Sequence, residues 1–188
     1  GGGGVWCGGW NGAGTVGAGT GTEAATTVAV TGVSTAVAVA VGGVHGCALL
    51  ADERVVCWGS AERGRLGNGA TTGTLNLAGP VTGLSAVESL ASGSLGSCVV
   101  RRVGSDREVA CWGLGNAGFI GDGATMDRST PTMVLGIDDA QIVAVGNDAA
   151  CVTRDGGRLA CWGANAFGQQ GTESTMSSTV PVSVPGLQ

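Results

Sequence analysis

One eleven-residue pattern is written four times in this chain, and its spacing limits the folds open to it. Residues 161–171 read CWGANAFGQQG, residues 111–121 CWGLGNAGFIG and residues 57–67 CWGSAERGRLG, while residues 7–17 carry a degraded copy, CGGWNGAGTVG. All four fit Cys-x-Gly-x4-Gly-x-x-Gly without gaps, and the leading cysteines lie 50, 54 and 50 residues apart. A fixed period of that size marks a repeat architecture, in which each unit buries its apolar face against its neighbours.

Alignment on the cysteines exposes the rest of the unit. Residues 137–146 end in an apolar strand, with counterparts at 34–43 and 85–93. Residues 150–153 and 158–162 flank Asp155-Gly156-Gly157, which is hairpin chemistry. A loop rich in glycine and threonine follows each motif, and then a short proline-bearing strand at 80–82, 131–135 and 180–184. Proline in that last strand suits an outer edge, where a missing N–H breaks no ladder bond. The Val- and Ala-rich strand, 36–41 and 140–145, is small enough to lie innermost. Four antiparallel strands in each repeat predict an all-β fold, a β-propeller of four-stranded blades. No segment has the helical period that an α-solenoid needs, and a β-solenoid usually has a shorter repeat.

The composition agrees. With 38 glycines, 43% hydrophobic residues and only 12% charged, the chain suits short packed strands joined by turns and lacks the charge of a disordered one. The expected blades are 32–82, 83–135 and 136–184, after a partial, degenerate one at 1–31, with 185–188 opening the next repeat. Both ends fall inside a repeat, so the chain is expected to be about half of a larger ring or to complete its blades with further copies. No membrane span is expected, because no run of about 18 apolar residues occurs, and residues 1–4 do not resemble a signal peptide.

Six of the seven cysteines fall into pairs whose register follows from the turns. A three-residue loop at 155–157 sets Arg154 opposite Arg158, and counting outward sets Cys151 opposite Cys161. A two-residue Gly104-Ser105 turn pairs Val103 with Asp106 and sets Cys98 opposite Cys111, although that spacing is three residues longer. Cys47 and Cys57 repeat the first spacing. These are non-hydrogen-bonded positions, with Cα atoms about 4.5 Å apart, which a disulfide accepts. Three hairpin disulfides predict an extracytoplasmic protein; the alternative is buried free thiols in a reducing cytosol. Zinc fits less well, since His45 is the only histidine. Cys7 has no partner at the equivalent upstream spacing and is expected to be unpaired, or paired outside this segment.

The unit Val-Ala-x-Gly, His-x-Cys-Ala-Leu, Val-x-Cys-Trp-Gly-x-Asn-x-x-Gly-Gln-x-Gly resembles the repeat of the regulator of chromosome condensation family, in the cysteine-containing form of bacterial surface and secreted proteins. The likeness runs through three complete copies and one partial copy, with Trp-Gly recurring at Trp58, Trp112 and Trp162. It implies a seven-bladed propeller, of which this chain would be about half. It implies less about function, since the family includes a chromatin-bound nucleotide exchange factor and a bacterial β-lactamase inhibitor. The first copy departs from the pattern, with Gly8 in the tryptophan position and Trp10 two residues later.

Nucleic-acid binding is not expected: the net charge is −5 and there is no lysine. His45 is read as a structural hydrogen-bonding group, Asp138, Asp139 and Asp155 as turn carboxylates, and the tryptophans as packing between blades rather than sugar platforms. Glycine runs such as 12–21 lack the Gly-Lys-Ser/Thr of a phosphate loop. No nucleophile with a nearby base stands out, so no enzyme activity, cofactor or metal is expected. The expected role is a secreted or cell-surface scaffold that binds a protein partner, or further copies of itself, through its loops and open blade edges. The long loops 68–79, 122–130 and 172–179 are the candidate surface, with Arg63, Arg65, Asp127 and Arg128 as charged contacts. Alternatives are a carbohydrate-binding module and a structural repeat of a filament or surface layer; aromatic residues in the loops would favour the former.

Overall fold

A computed structural model describes residues 2–21 and 23–186. They form propeller blades, three with four antiparallel strands and one with two. The half-blade pairs β1 (Trp6–Gly9) with β2 (Ala24–Ala29). Blade 2 runs β3 (Ala36–Val41), β4 (His45–Leu50), β5 (Val55–Ser60) and β6 (Thr74–Pro80). Blade 3 runs β7 (Val87–Ser92), β8 (Gly96–Val103), β9 (Asp106–Gly113) and β10 (Arg128–Met133). Blade 4 runs β11 (Ala140–Val145), β12 (Ala149–Arg154), β13 (Leu159–Gly163) and β14 (Ser178–Ser183). The last two residues of the expected next repeat, 187 and 188, lie outside the described residues. No helix among the described residues is long and apolar enough to cross a membrane.

The small-residue strands β3, β7 and β11 are innermost, and β7 packs against both of the others. Glycine allows their ends to meet: a Cβ on Gly42 would lie 2.4 Å from the Gly93 carbonyl oxygen, and one on Gly93 only 1.8 Å from that of Gly146. Each inner pair shifts register at the same place, 36/38, 87/89 and 140/142. A bulge there sharpens the local twist, as a radial blade requires.

The outer strands start earlier than the sequence suggests. β6 begins at Thr74, β10 at Arg128 and β14 at Ser178, inside stretches expected to be loop. Their Gly-, Thr- and Asn-rich composition hides them, because an outermost strand has one ladder to satisfy and little apolar face to bury. Pro131 and Pro181 lie within β10 and β14, on that outer edge.

The cysteine pairs stand opposite each other, with Cα separations of 4.1, 4.1 and 4.0 Å for 47–57, 98–111 and 151–161, and all three are disulfide-bonded. They lie on the face that each blade turns to its successor. Cys47 and Cys57 pack with Val99 and Trp112 of blade 3, and Cys98 and Cys111 with Val152 and Trp162 of blade 4. The hydrophobic core is thus divided into layers between blades, so each blade is held by its neighbours more than by itself.

Candidate functional site

The four motif copies build the loops on one rim of the propeller. In blades 2 and 3 the chain leaves β5 and β9 into 3-10 turns, Glu62–Gly64 and Asn116–Gly118, with Arg63 and Ala117 at φ of 60° and 54°. Phe167 holds the same column in blade 4, and the column is the tip of the loop.

Two motif glycines in each of the first three copies are contact points for the next blade. A Cβ on Gly64 would lie 2.5 Å from the Ser129 Cα, and one on Gly118 the same distance from the Thr179 Cα, so backbone meets backbone there. The last motif glycine admits an indole. A Cβ on Gly67 would lie 2.9 Å from Trp112 Nε1, and one on Gly121 2.8 Å from Trp162 Nε1. Each indole N–H then donates to a carbonyl oxygen of the preceding motif: Trp58 to Thr15 at 2.8 Å, Trp112 to Arg65 at 2.9 Å and Trp162 to Phe119 at 2.8 Å. These three tryptophans are fully buried between blades. Trp10 of the degraded copy and Trp6 just before it depart from the expected packing role and are 58% and 66% exposed.

The charged candidates are drawn into the scaffold. Arg65 is only 13% exposed and donates from Nη1 to the Glu62 carbonyl oxygen at 2.9 Å. Asp127 accepts the Gly115 N–H at 3.0 Å, and Arg128 donates from Nε to Asp122 at 2.7 Å. Arg63 is the exception, 65% exposed and reaching Asp127 across the blade boundary at 3.4 Å. Arg63 is the most exposed of the four candidates, and all four have internal partners that sequence spacing did not reveal. Asp138 and Asp139 are held by Arg154, and Asp139 also by Arg158.

His45 is 1% exposed, lies between blades 2 and 3, and is hydrogen-bonded through Nε2 with Ser97 Oγ at 3.0 Å; Ser97 is in turn 2.8 Å from Ser92 Oγ. Burial, with the nearby Arg65 charge, pushes the imidazole pKa down to about 4. It is a neutral core group at pH 7. A second buried polar group holds the blade 4 loop: Asn165 Nδ2 donates to the Ser174 and Met176 carbonyl oxygens, and its Oδ1 accepts the Gln170 N–H at 2.9 Å.

The loops also leave apolar side chains outside, among exposed threonines, serines and Glu173. Phe167 is 95% exposed, Met176 79% and Met126 61%, the two methionines standing at the same place in successive loops. These residues were missed as surface candidates. Motif alignment carried the signal for Phe167, because its column also holds Arg63 and Ala117.

Comparison with known proteins agrees with this geometry. Residues 36–65 and 141–169 match the family model described as the regulator of chromosome condensation (RCC1) repeat. These two segments, in blades 2 and 4, are regulator of chromosome condensation repeats. It is 29% identical over 113 residues to the E3 ubiquitin-protein ligase HERC2 of Homo sapiens, and equally to that of Mus musculus, covering 59% of this chain and 2% of the ligase. Its fold is similar to that in the crystal structure of human WBSCR16, with a TM-score of 0.83, 23% identity and coverage of 97% of this chain and 48% of that one. It is also similar to a chain in the structure of Kap60 bound to yeast RCC1 (Prp20), with a TM-score of 0.78, 18% identity and coverage of 97% and 44%. The chain spans less than half the length of each. These RCC1-type repeats therefore share a blade architecture with proteins that have diverged widely in sequence.

Proposed function

We propose that this chain is a non-enzymatic protein-interaction propeller that works in an oxidising, extracytoplasmic compartment, either secreted or on a cell surface. The observation that carries the reading is the rim, where Phe167, Met126 and Met176 face solvent while all four charged candidates have internal partners. Exposed aromatic and methionine side chains on rigid loops are the anchors protein interfaces use. The three buried disulfides support the compartment. Among similar proteins, one solved structure is of yeast RCC1 (Prp20) bound to Kap60, and another is described with the binding properties of Prp20p to Gsp1p and histones. The acidic, lysine-free composition of this chain argues against a nucleic-acid partner.

A second reading, a carbohydrate-binding module, rests on the exposed Trp6 and Trp10. Photo-crosslinking from the Phe167 position in natural material tests the main reading. A protein adduct that disappears with Met176→Ser is expected, and a glycan adduct would replace it with the alternative. Thiol alkylation of the same material before reduction is expected to label at most Cys7; seven labelled cysteines would remove the compartment.

A further inference from the structure

Asn68 and Gly69 follow the second motif copy directly and sit where two blades are fastened together. The Gly69 N–H, at a φ of 91°, donates across the blade boundary to the Ser129 carbonyl oxygen of β10 at 2.8 Å. Its counterparts act alike at the neighbouring boundaries, Gly19 donating to Asn76 at 2.7 Å and Gly123 to Thr179 at 3.0 Å. These backbone bonds latch each motif loop to the outer strand of the following blade.

The residue before the latch is an electrophile in blade 2. The Asn68 side-chain carbonyl oxygen accepts the Ala70 N–H at 3.0 Å. Such a turn folds the side-chain amide back over the Gly69 nitrogen and sets a donor on the oxygen that takes up negative charge when the amide is attacked. Gly69 is exposed, and a Cβ on it would meet nothing within 4 Å, so solvent base reaches its nitrogen. Only two of the chain's six asparagines precede glycine, the residue whose missing side chain leaves ring closure unhindered. The other, Asn11, is 1% exposed and held on both sides, Nδ2 donating to the Thr20 carbonyl oxygen at 2.8 Å and Oδ1 accepting the Val16 N–H at 2.9 Å. Asp122 takes the column of Asn68 in blade 3, but its carboxylate is paired with Arg128, and an ionised carboxylate resists attack.

We propose that Asn68 is a self-modification site, a deamidating residue whose conversion unlatches blade 2 from blade 3. Base removes the Gly69 amide proton, the nitrogen attacks Asn68 Cγ, and the Cγ–Nδ2 bond breaks, its electron pair taking a proton to leave as ammonia. Water then opens the succinimide, at the side-chain carbonyl to give aspartate or at the main-chain carbonyl to give isoaspartate. While Gly69 donates to Ser129 its proton is held, so the attack waits for the latch to open. Isoaspartate adds one carbon to the main chain immediately before Gly69, which carries the N–H off its acceptor. The reaction thus records an opening of the boundary and makes it permanent.

Peptide mapping by mass spectrometry, on the chain kept in mildly alkaline buffer, reads the rate at each asparagine. Asn68 is expected to react before any other, and about tenfold more slowly than in a synthetic peptide copying residues 63–73. Gly64→Ala presses on the Ser129 backbone and should bring the rate towards that of the peptide. Gly118→Ala, the same lesion at the boundary of blades 3 and 4, should leave it unchanged. The Trp112 indole N–H, bonded to the Arg65 carbonyl oxygen across the same boundary as the latch, should exchange with solvent faster in the isoaspartyl form than in Asn68→Asp, which adds the charge without the extra carbon. Another asparagine reacting first, an intact chain as fast as the peptide, equal responses to the two alanine variants, or equal indole exchange in the two acidic forms would overturn the proposal.

Discussion

The junction between blades 3 and 4 and the outer face of blade 4 are built from the same motif and differ in whether a successor blade is described. At the junction, Gly118 touches the Thr179 backbone, Gly121 admits Trp162, and the Phe119 carbonyl accepts its indole N–H. On the outer face a Cβ on Gly168 would meet nothing within 4 Å, one on Gly171 only Val184 at 3.4 Å, and Phe167 stands 95% exposed. Asn165 and Gln170 hold the blade 4 loop from within. The motif therefore has two separable tasks, folding its own loop and receiving the next blade.

Substitutions separate the two tasks. Trp162→Ala should cost the most, about 4 kcal/mol in chemical denaturation, because it empties a fully buried indole site and leaves a carbonyl unpaired. If the loss were below about 1 kcal/mol, the interblade layer would not be what holds blade 4. Replacing Cys98 and Cys111 together by alanine should cost about 3 kcal/mol, as expected for a closed loop of this length.

Acid should act through His45. Its folded pKa, about 4, lies below the ordinary value of 6.5, so the neutral ring's contribution is complete above pH 6.5 and is lost as pH falls towards 4. The midpoint of thermal unfolding should drop over that window, with up to about 3 kcal/mol at stake. His45→Asn should flatten the slope, and an unchanged slope would place the acid sensitivity elsewhere. Gly118→Ala should cost about 2 kcal/mol against about 1 for Gly168→Ala, since both glycines have positive φ but only Gly118 has backbone in the way. Smallest of all, Phe167→Ala should alter stability by less than about 0.5 kcal/mol, and a larger effect would mean that its ring packs within the chain.

Much of the blade was legible because turn chemistry and repeat spacing act locally. The Asp155-Gly156-Gly157 and Gly104-Ser105 turns settle the cysteine register by counting, and the recurrence of Trp-Gly marks the residue that each blade offers its predecessor. The starts of the outer strands were missed even where Thr74 to Leu77 alternates polar with apolar residues, because the glycine and threonine around so short a run read as loop. Nor was the Asp127–Arg63 contact legible, which joins residues 64 apart in the chain and needs the packing of consecutive blades; Arg65 and Arg128 find their partners within their own loops, at Glu62 and Asp122, through turns whose shape the spacing does not give. The exposed aromatic on the rim was hidden for the opposite reason, since two columns further along the same motif Phe119 is fully buried.

The placement of the disulfides has a temporal consequence. Cys47, Cys57, Cys98 and Cys111 are wholly enclosed under the following blade, whereas Cys151 is partly open. A reductant would therefore meet Cys98–Cys111 only after blade 4 has lifted away, and Cys47–Cys57 only after blade 3 has. Resistance to thiols then belongs to the neighbour that covers a bond more than to the bond itself, and the rate at which each pair yields would report how often that neighbour departs.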